Sequence, residues 1–160
     1  MNLQTPSLRD ANLTVTKAFA AAGANNTSDG IALGDYVGTT ISGTYARDIH
    51  LELQVIIPAA LALATDKSLT ITPMSSQDDA VADAYAAIPT LGAVTVTGIA
   101  TNVLPITEGA GYEIDASGNI VVSWPLPRKL EKYVAVNVAV ESAGGTLTAS
   151  SYTVTVVGFI

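Results

Sequence analysis

The sequence predicts an all-β fold, a jelly-roll-like β-sandwich of about eight strands with little helix, on three observations. Short runs alternate polar and apolar residues with the period of two that puts one face of a strand on a core. Clusters of Gly, Asn, Asp and Ser punctuate the runs at the intervals expected of turns. Sustained helical periodicity is missing from nearly all of the 160 residues. Two four-stranded sheets suit the strand count and the long connections between runs.

The first run is Leu13-Thr-Val-Thr-Lys-Ala-Phe19, followed by the turn cluster Asn25-Asn-Thr-Ser-Asp-Gly30. In His50-Leu-Glu-Leu-Gln-Val-Ile-Ile57, Leu51, Leu53, Val55 and Ile57 share one face; His50, Glu52 and Gln54 share the other. Ser68-Leu-Thr-Ile-Thr72 repeats the alternation, as do Ala93–Thr97, Val103–Ile106 and Asn119–Trp124. Tyr112-Glu-Ile114 and Ile120-Val-Val122 flank Asp115-Ala-Ser-Gly-Asn119 and predict a hairpin. Trp124-Pro-Leu-Pro127 predicts a strand end and a fixed turn, because proline cannot donate to a ladder. The chain closes on two alternating runs in 133–157, joined by Gly144-Gly145. Val134, Val136, Val138 and Val140 share one face of the first; Tyr133, Ala135, Asn137 and Ala139 share the other, which lacks charge and predicts a covering neighbour. The alanine-rich stretch Gln77–Ile88 fits either a short helix capped by Ser75 or Ser76, with Asp78 and Asp79 in its first turn, or an extended loop. No Gly/Ser or charged linker divides the chain, so one domain over 13–160 is expected, preceded by an arm at 1–12.

Composition narrows function. Hydrophobic residues make up 49% and charged residues 13%, against roughly 25% charged in ordinary soluble domains. So apolar a surface implies a membrane or burial against other protein. The longest apolar stretch, 55–64, contains Pro58 and falls short of the ~20 residues a spanning helix needs. Burial against protein is therefore the expectation. Net charge is −7 with seven Lys and Arg in all, too few to neutralise a phosphate backbone, so no nucleic-acid partner is expected. There is no cysteine, hence no disulfide framework and no thiolate chemistry. The first residues lack a basic stretch followed by an apolar one, so synthesis in a cytoplasm is expected.

Catalytic constellations are rejected in turn. His50 is the one histidine and falls on the polar face of a strand, where a surface or interface role is the simplest reading. A cupin-type metal site needs several histidines. Asp78, Asp79 and Asp83 form one acidic group, and Glu108, Glu113 and Asp115 a second, but neither has calcium-loop spacing. Asn12-Leu-Thr14 and Asn25-Asn-Thr27 match the glycosylation pattern but read most simply as strand and turn residues. No enzyme activity, cofactor or metal is expected.

Three stretches carry a resemblance: Thr27-Ser-Asp-Gly-Ile-Ala-Leu-Gly34 after an N-terminal strand, Trp124-Pro-Leu-Pro-Arg-Lys-Leu-Glu-Lys-Tyr-Val-Ala-Val136, and Gly144-Gly-Thr-Leu-Thr-Ala leading to Tyr152-Thr-Val-Thr-Val156. In this order they resemble the jelly-roll capsid decoration, or cement, proteins of tailed bacteriophages. The resemblance implies a homotrimer on the capsid exterior that clamps adjacent major capsid protein subunits, made in the host bacterial cytoplasm. Candidate contacts are then Leu3, Leu8 and Arg9 in the arm, Asp78, Asp79 and Tyr85 in the alanine-rich stretch, and the basic turn Arg128-Lys129. The alternatives are a phage tail or baseplate β protein, and a carbohydrate-binding sandwich using Tyr36, Tyr45 and Tyr112 as an aromatic platform. A fimbrial or surface-layer subunit shares the composition but normally brings a leader and often cysteines.

Overall fold

The computed structural model describes residues 7–8, 13–33, 50–58, 61, 67–97, 106–107, 111–127, 130–141 and 151–159. Among them lie thirteen strands and no α-helix. In chain order these are β1 (Ser7–Leu8), β2 (Thr14–Ala18), β3 (Asn25–Thr27), β4 (Ile31–Ala32), β5 (His50–Ile57), β6 (Ser68–Ser76), β7 (Ala86–Ala87), β8 (Val94–Thr97), β9 (Ile106–Thr107), β10 (Gly111–Ile114), β11 (Ile120–Pro125), β12 (Tyr133–Val140) and β13 (Ser151–Phe159).

Pairing is nested and antiparallel throughout. β2 pairs with β13, β3 and β4 with β12, β5 with β11, and β6 with β8. Successive pairs fall alternately in two sheets, which is the winding of a jelly roll. The first sheet runs β1-β13-β5-β11-β10, with β2 also on β13; the second runs β3-β12-β6-β8-β9, with β4 on β12 and β7 on β6. The two closing runs therefore do not pair with each other. β12 lies between β3/β4 and β6 in one sheet, and β13 between β1/β2 and β5 in the other.

The core forms where the apolar faces meet. Leu53, Val55, Val122, Trp124, Val154 and Val156 come from the first sheet, and Leu69, Ile71, Val94, Val96, Val134, Val136 and Val138 from the second. Full burial of such side chains contributes about 1.5–3 kcal/mol each before the cost of ordering the chain. Polar atoms brought inside are satisfied: Trp124 Nε1–H donates to the Gly92 carbonyl at 2.9 Å, and the Tyr152 hydroxyl donates across the sandwich to the Asn26 carbonyl at 3.2 Å. Burial pushes the Tyr152 phenol up to about 12, so it stays a donor at neutral pH.

The strand expected over 68–72 continues to Ser76, straight through Pro73. The pairing explains the tolerance. Toward β12, Pro73 stands opposite Val136, whose own N–H and C=O are turned the other way, to Ser28. The donor that Pro73 lacks thus faces the break between β8, which ends its pairing at Ile71, and β7, which begins at Met74. There Ile88 N–H donates to the Pro73 carbonyl at 3.0 Å, and no donor is required of residue 73. Of the run expected at 103–106, Ile106 lies in β9 and the rest falls outside the described residues.

The faces turned away from the core carry mainly hydroxyls and amides, with Glu52 on β5 accepting from Gln54 Nε2–H at 3.0 Å. Thr14 and Thr155 Oγ1 are 2.9 Å apart on the first sheet; on the second, Asn137 Nδ2–H donates to Thr27 Oγ1 at 2.9 Å. Such cross-strand pairs contribute roughly 0.2–1 kcal/mol each. Charge is concentrated instead in the connections between strands.

Candidate functional site: a strapped loop at one end of the sandwich

One end of the sandwich gathers three connections. β6 leaves it at Ser76, β12 enters it at Tyr133 opposite Ser76, and β4 leaves it at Ala32 opposite Tyr133. In the other sheet β11 leaves at Pro125 opposite Glu52, and β1 pairs at the same end, with Leu8 opposite Gly158 and Gly158 opposite Leu51. The loop 77–85 belongs to this end.

Local chemistry dictates that loop. The alanine-rich stretch is not helical; its first aspartate folds back on the amides that would have started a helix. Asp78 Oδ1 accepts from the N–H of Val81 at 3.1 Å and of Asp83 at 3.0 Å, and Oδ2 accepts from the N–H of Ala82 at 2.7 Å. Ser76, fully buried, ties the loop to the sheet: its hydroxyl donates to the Asp83 carbonyl at 2.6 Å and accepts from Ala80 N–H at 3.0 Å. Asp83 Oδ2 accepts from Gln77 N–H at 3.1 Å. The Asp83 amide above all, then those of Ala82 and Val81 and the Ser76 hydroxyl, hold the Asp78 carboxyl below its ordinary 3.8, against some loss of hydration.

To close on itself this way the chain places Asp79 at φ 60° and Ala80 at φ 63°. Aspartate visits the left-handed region at small cost, but alanine does not. Residues held in such conformations cost on the order of 1–3 kcal/mol each and persist only where the surroundings over-determine them.

A strap closes the loop on itself beside the β3–β4 edge of the sheet. The Tyr85 hydroxyl donates to Asp79 Oδ1, and this pair lies against Gly30, where a Cβ would overlap both the Tyr85 oxygen and the Asp79 carboxylate. Burial first, then the hydrogen bond and charge of Asp79, push the Tyr85 phenol above its ordinary value. Gly30 sits in a bulge between β3 and β4. Ser28 N–H donates to the Val136 carbonyl at 2.8 Å, while Val136 N–H donates to Ser28 Oγ at 3.0 Å, so a side chain replaces a ladder carbonyl. Outside the bulge Lys17 Nζ pairs with Asp29 Oδ1 at 2.8 Å, an exposed contact of little energetic weight.

The uncharged face of β12 is itself partly covered. Ala135 does not join the core cluster, yet it is fully buried, as is Ser76 nearby. What the loop presents to solvent is its tip. Val81 is 85% exposed, the single large hydrophobic residue so exposed among the described residues, and Ala80, Ala82 and Ala84 beside it are exposed too.

The structure brings Asp78, Asp79 and Tyr85 together but gives them inward duties: Asp78 organises the loop, and Asp79 and Tyr85 form the strap. Leu8 lies in β1 at the same end. Leu3, Arg9, Arg128 and Lys129, like Tyr36, Tyr45 and Glu108, lie outside the described residues. Asp115 directs the expected hairpin turn, and no group of three metal-ligating side chains occurs among the described residues. Sequence reasoning missed Gly30 and Val81, and gave Ser76 only as a candidate helix cap. Val81 had a signal, being the one large apolar side chain within Asp78–Ala87 apart from Tyr85.

No family profile and no curated protein matches the sequence. The class the fold defines is that of the antiparallel jelly-roll sandwiches, here with an internally hydrogen-bonded loop at one end.

Proposed function

We propose that this chain is a structural virion protein: a non-enzymatic decoration, or cement, protein on the outer surface of a tailed-phage head. It binds major capsid protein subunits and reinforces the contacts between them, acting as a homotrimer. The observation that carries the reading is the loop 77–85, a strained and internally braced element that presents an apolar tip from the end of a jelly roll. An element with its hydrogen bonds made and its tip bare binds without an ordering cost. The outer face of the second sheet supports the same reading, since it carries hydroxyls and amides in a chain of net charge −7. The acidic balance favours the outside of a shell over contact with packaged DNA.

Mechanically, each copy is expected to bury about 1,000 Å² or more against its neighbours. Repetition over a lattice turns modest single contacts into lasting attachment. The test compares phage particles carrying the gene with particles from which it has been deleted. Decoration predicts the protein in purified heads, and deleted heads that release their genome at lower temperature. Recovery with isolated tails, or heads of unchanged stability, overturns it. Light scattering on the purified protein checks the trimer, which requires about three times 16.3 kDa.

A further inference from the structure

We infer that Asp29-Gly30 is a self-modification site built into the fold: Asp29 isomerises in the native protein, through a succinimide, to isoaspartate, and the product unfastens the Tyr85–Asp79 strap. The inference stands independently of the decoration reading.

Asp29-Gly30 is the one Asp-Gly pair in the sequence, which has no Asn-Gly. The packing requires its glycine, since a Cβ at Gly30 would overlap the Tyr85 hydroxyl and the Asp79 carboxylate. Without a side chain, Gly30 leaves its amide nitrogen open to the carboxyl beside it. The ladder leaves that nitrogen available too. Leu33 N–H donates to the Lys132 carbonyl at 2.6 Å, and Ile31 pairs with Val134 in the same register. In antiparallel alternation Leu33 and Ile31 therefore face β12, while Gly30 turns its N–H to the outer edge. Asp29 and Gly30 belong to neither β3 nor β4, so no ladder pair fixes the peptide between them. The Ser28 hydroxyl donates to the Asp29 carbonyl at 3.2 Å, which draws electron density from the Gly30 amide and eases loss of its proton. The Asp29 side chain is 73% exposed, and its pairing with Lys17 is a weak surface contact that opens readily.

In the ring-forming step the Gly30 nitrogen bonds to Asp29 Cγ, and a carboxyl oxygen leaves as water. Water then adds at the Asp29 backbone carbonyl and breaks its bond to the Gly30 nitrogen, which keeps its new bond to Cγ and regains a proton. One water is released and one consumed. The backbone now runs through Cβ and Cγ, one carbon longer, beside a residue with no room for even a Cβ. Gly30 is pushed against the Tyr85 oxygen and the Asp79 carboxylate, and their bond gives way.

The experiment incubates purified full-length protein in heavy-oxygen water near neutral pH, beside D29S and beside wild type kept unfolded in urea. Peptide mass spectrometry with electron-transfer fragmentation locates heavy oxygen and isoaspartate residue by residue. Expected results are label and isoaspartate at residue 29 of the folded protein, at least about tenfold faster than at Asp79, Asp83 and Asp115, each of which precedes alanine. D29S acquires neither at that position. Amide hydrogen exchange over 79–85 should be faster in aged than in fresh wild type, and the same in aged and fresh D29S, because only the isomerised chain loses its strap. Folded protein that gains no label at residue 29 overturns the inference, and label in the urea sample alone would show that the fold protects the pair. Isoaspartate with unchanged exchange over 79–85 overturns the link to the strap.

Discussion

At 115–119 the Asp115 carboxylate accepts from the N–H of Ser117 at 2.8 Å and of Asn119 at 2.9 Å, and the backbone turns at Gly118 with φ 80°. At 77–85 the Asp78 carboxylate gathers three amides in the same way, but the left-handed positions belong to Asp79 and Ala80. The first is a relaxed hairpin turn, with glycine where the backbone asks for it. The second has no glycine and leans on Ser76, Asp83 and the Tyr85–Asp79 strap to stay closed. The difference teaches where to look for function. Strain sustained by several converging bonds, in a loop outside the core cluster, is the observation on which the proposed role rests.

The comparison breaks most easily at Ser76. Ser76→Ala removes the bond to the Asp83 carbonyl and the acceptor for Ala80 N–H in a fully buried position. A loss of about 1–3 kcal/mol is expected in urea titration.

A smaller effect is expected from pH. Asp78 and Asp115 are both held below their ordinary 3.8, Asp115 by the Asn119 side chain first and then by the amides of Asn119, Ser117 and Gly118. Because the folded carboxyls are the stronger acids, they stabilise the fold fully above the unfolded value, and that stability is lost as pH falls through the folded values. Melting temperature should be flat from neutrality to the ordinary carboxylate range and fall below it. Asp78→Asn and Asp115→Asn should each make that fall shallower, which melting curves at stepped pH would show.

Much of the fold was legible because period-two alternation reports burial directly. β5 and β12 run over 50–57 and 133–140 as the pattern predicts, and the Asp115–Asn119 hairpin forms as its turn residues require. Pro73 misled because a proline's cost depends on which neighbour its missing donor faces, and that is set by the far-away pairing of β7 and β8. The two closing valine-rich runs give no hint that they part into different sheets, since alternation records a face and not a partner. The site was half legible. Asp78, Asp79 and Tyr85 stood out by type, but their inward roles depend on Ser76 and on Gly30, some fifty residues distant from Tyr85 in the chain and adjacent in space. The strain at Ala80 leaves no trace in composition, because alanine, unlike glycine or asparagine, does not signal a left-handed position.

The most direct test of the account is the matched pair Ala80→Gly and Gly118→Ala, each measured by urea titration against wild type. If Ala80 is held in the left-handed region by the network around it, glycine relieves that cost and raises stability by about 0.5–1 kcal/mol, while alanine at Gly118 lowers it by about 1 kcal/mol. Opposite signs at the two positions are the predicted result. A loss of stability in Ala80→Gly, as glycine causes at an ordinary backbone position, would mean that the loop stores no strain, and the reason for assigning it to a partner would fall with it.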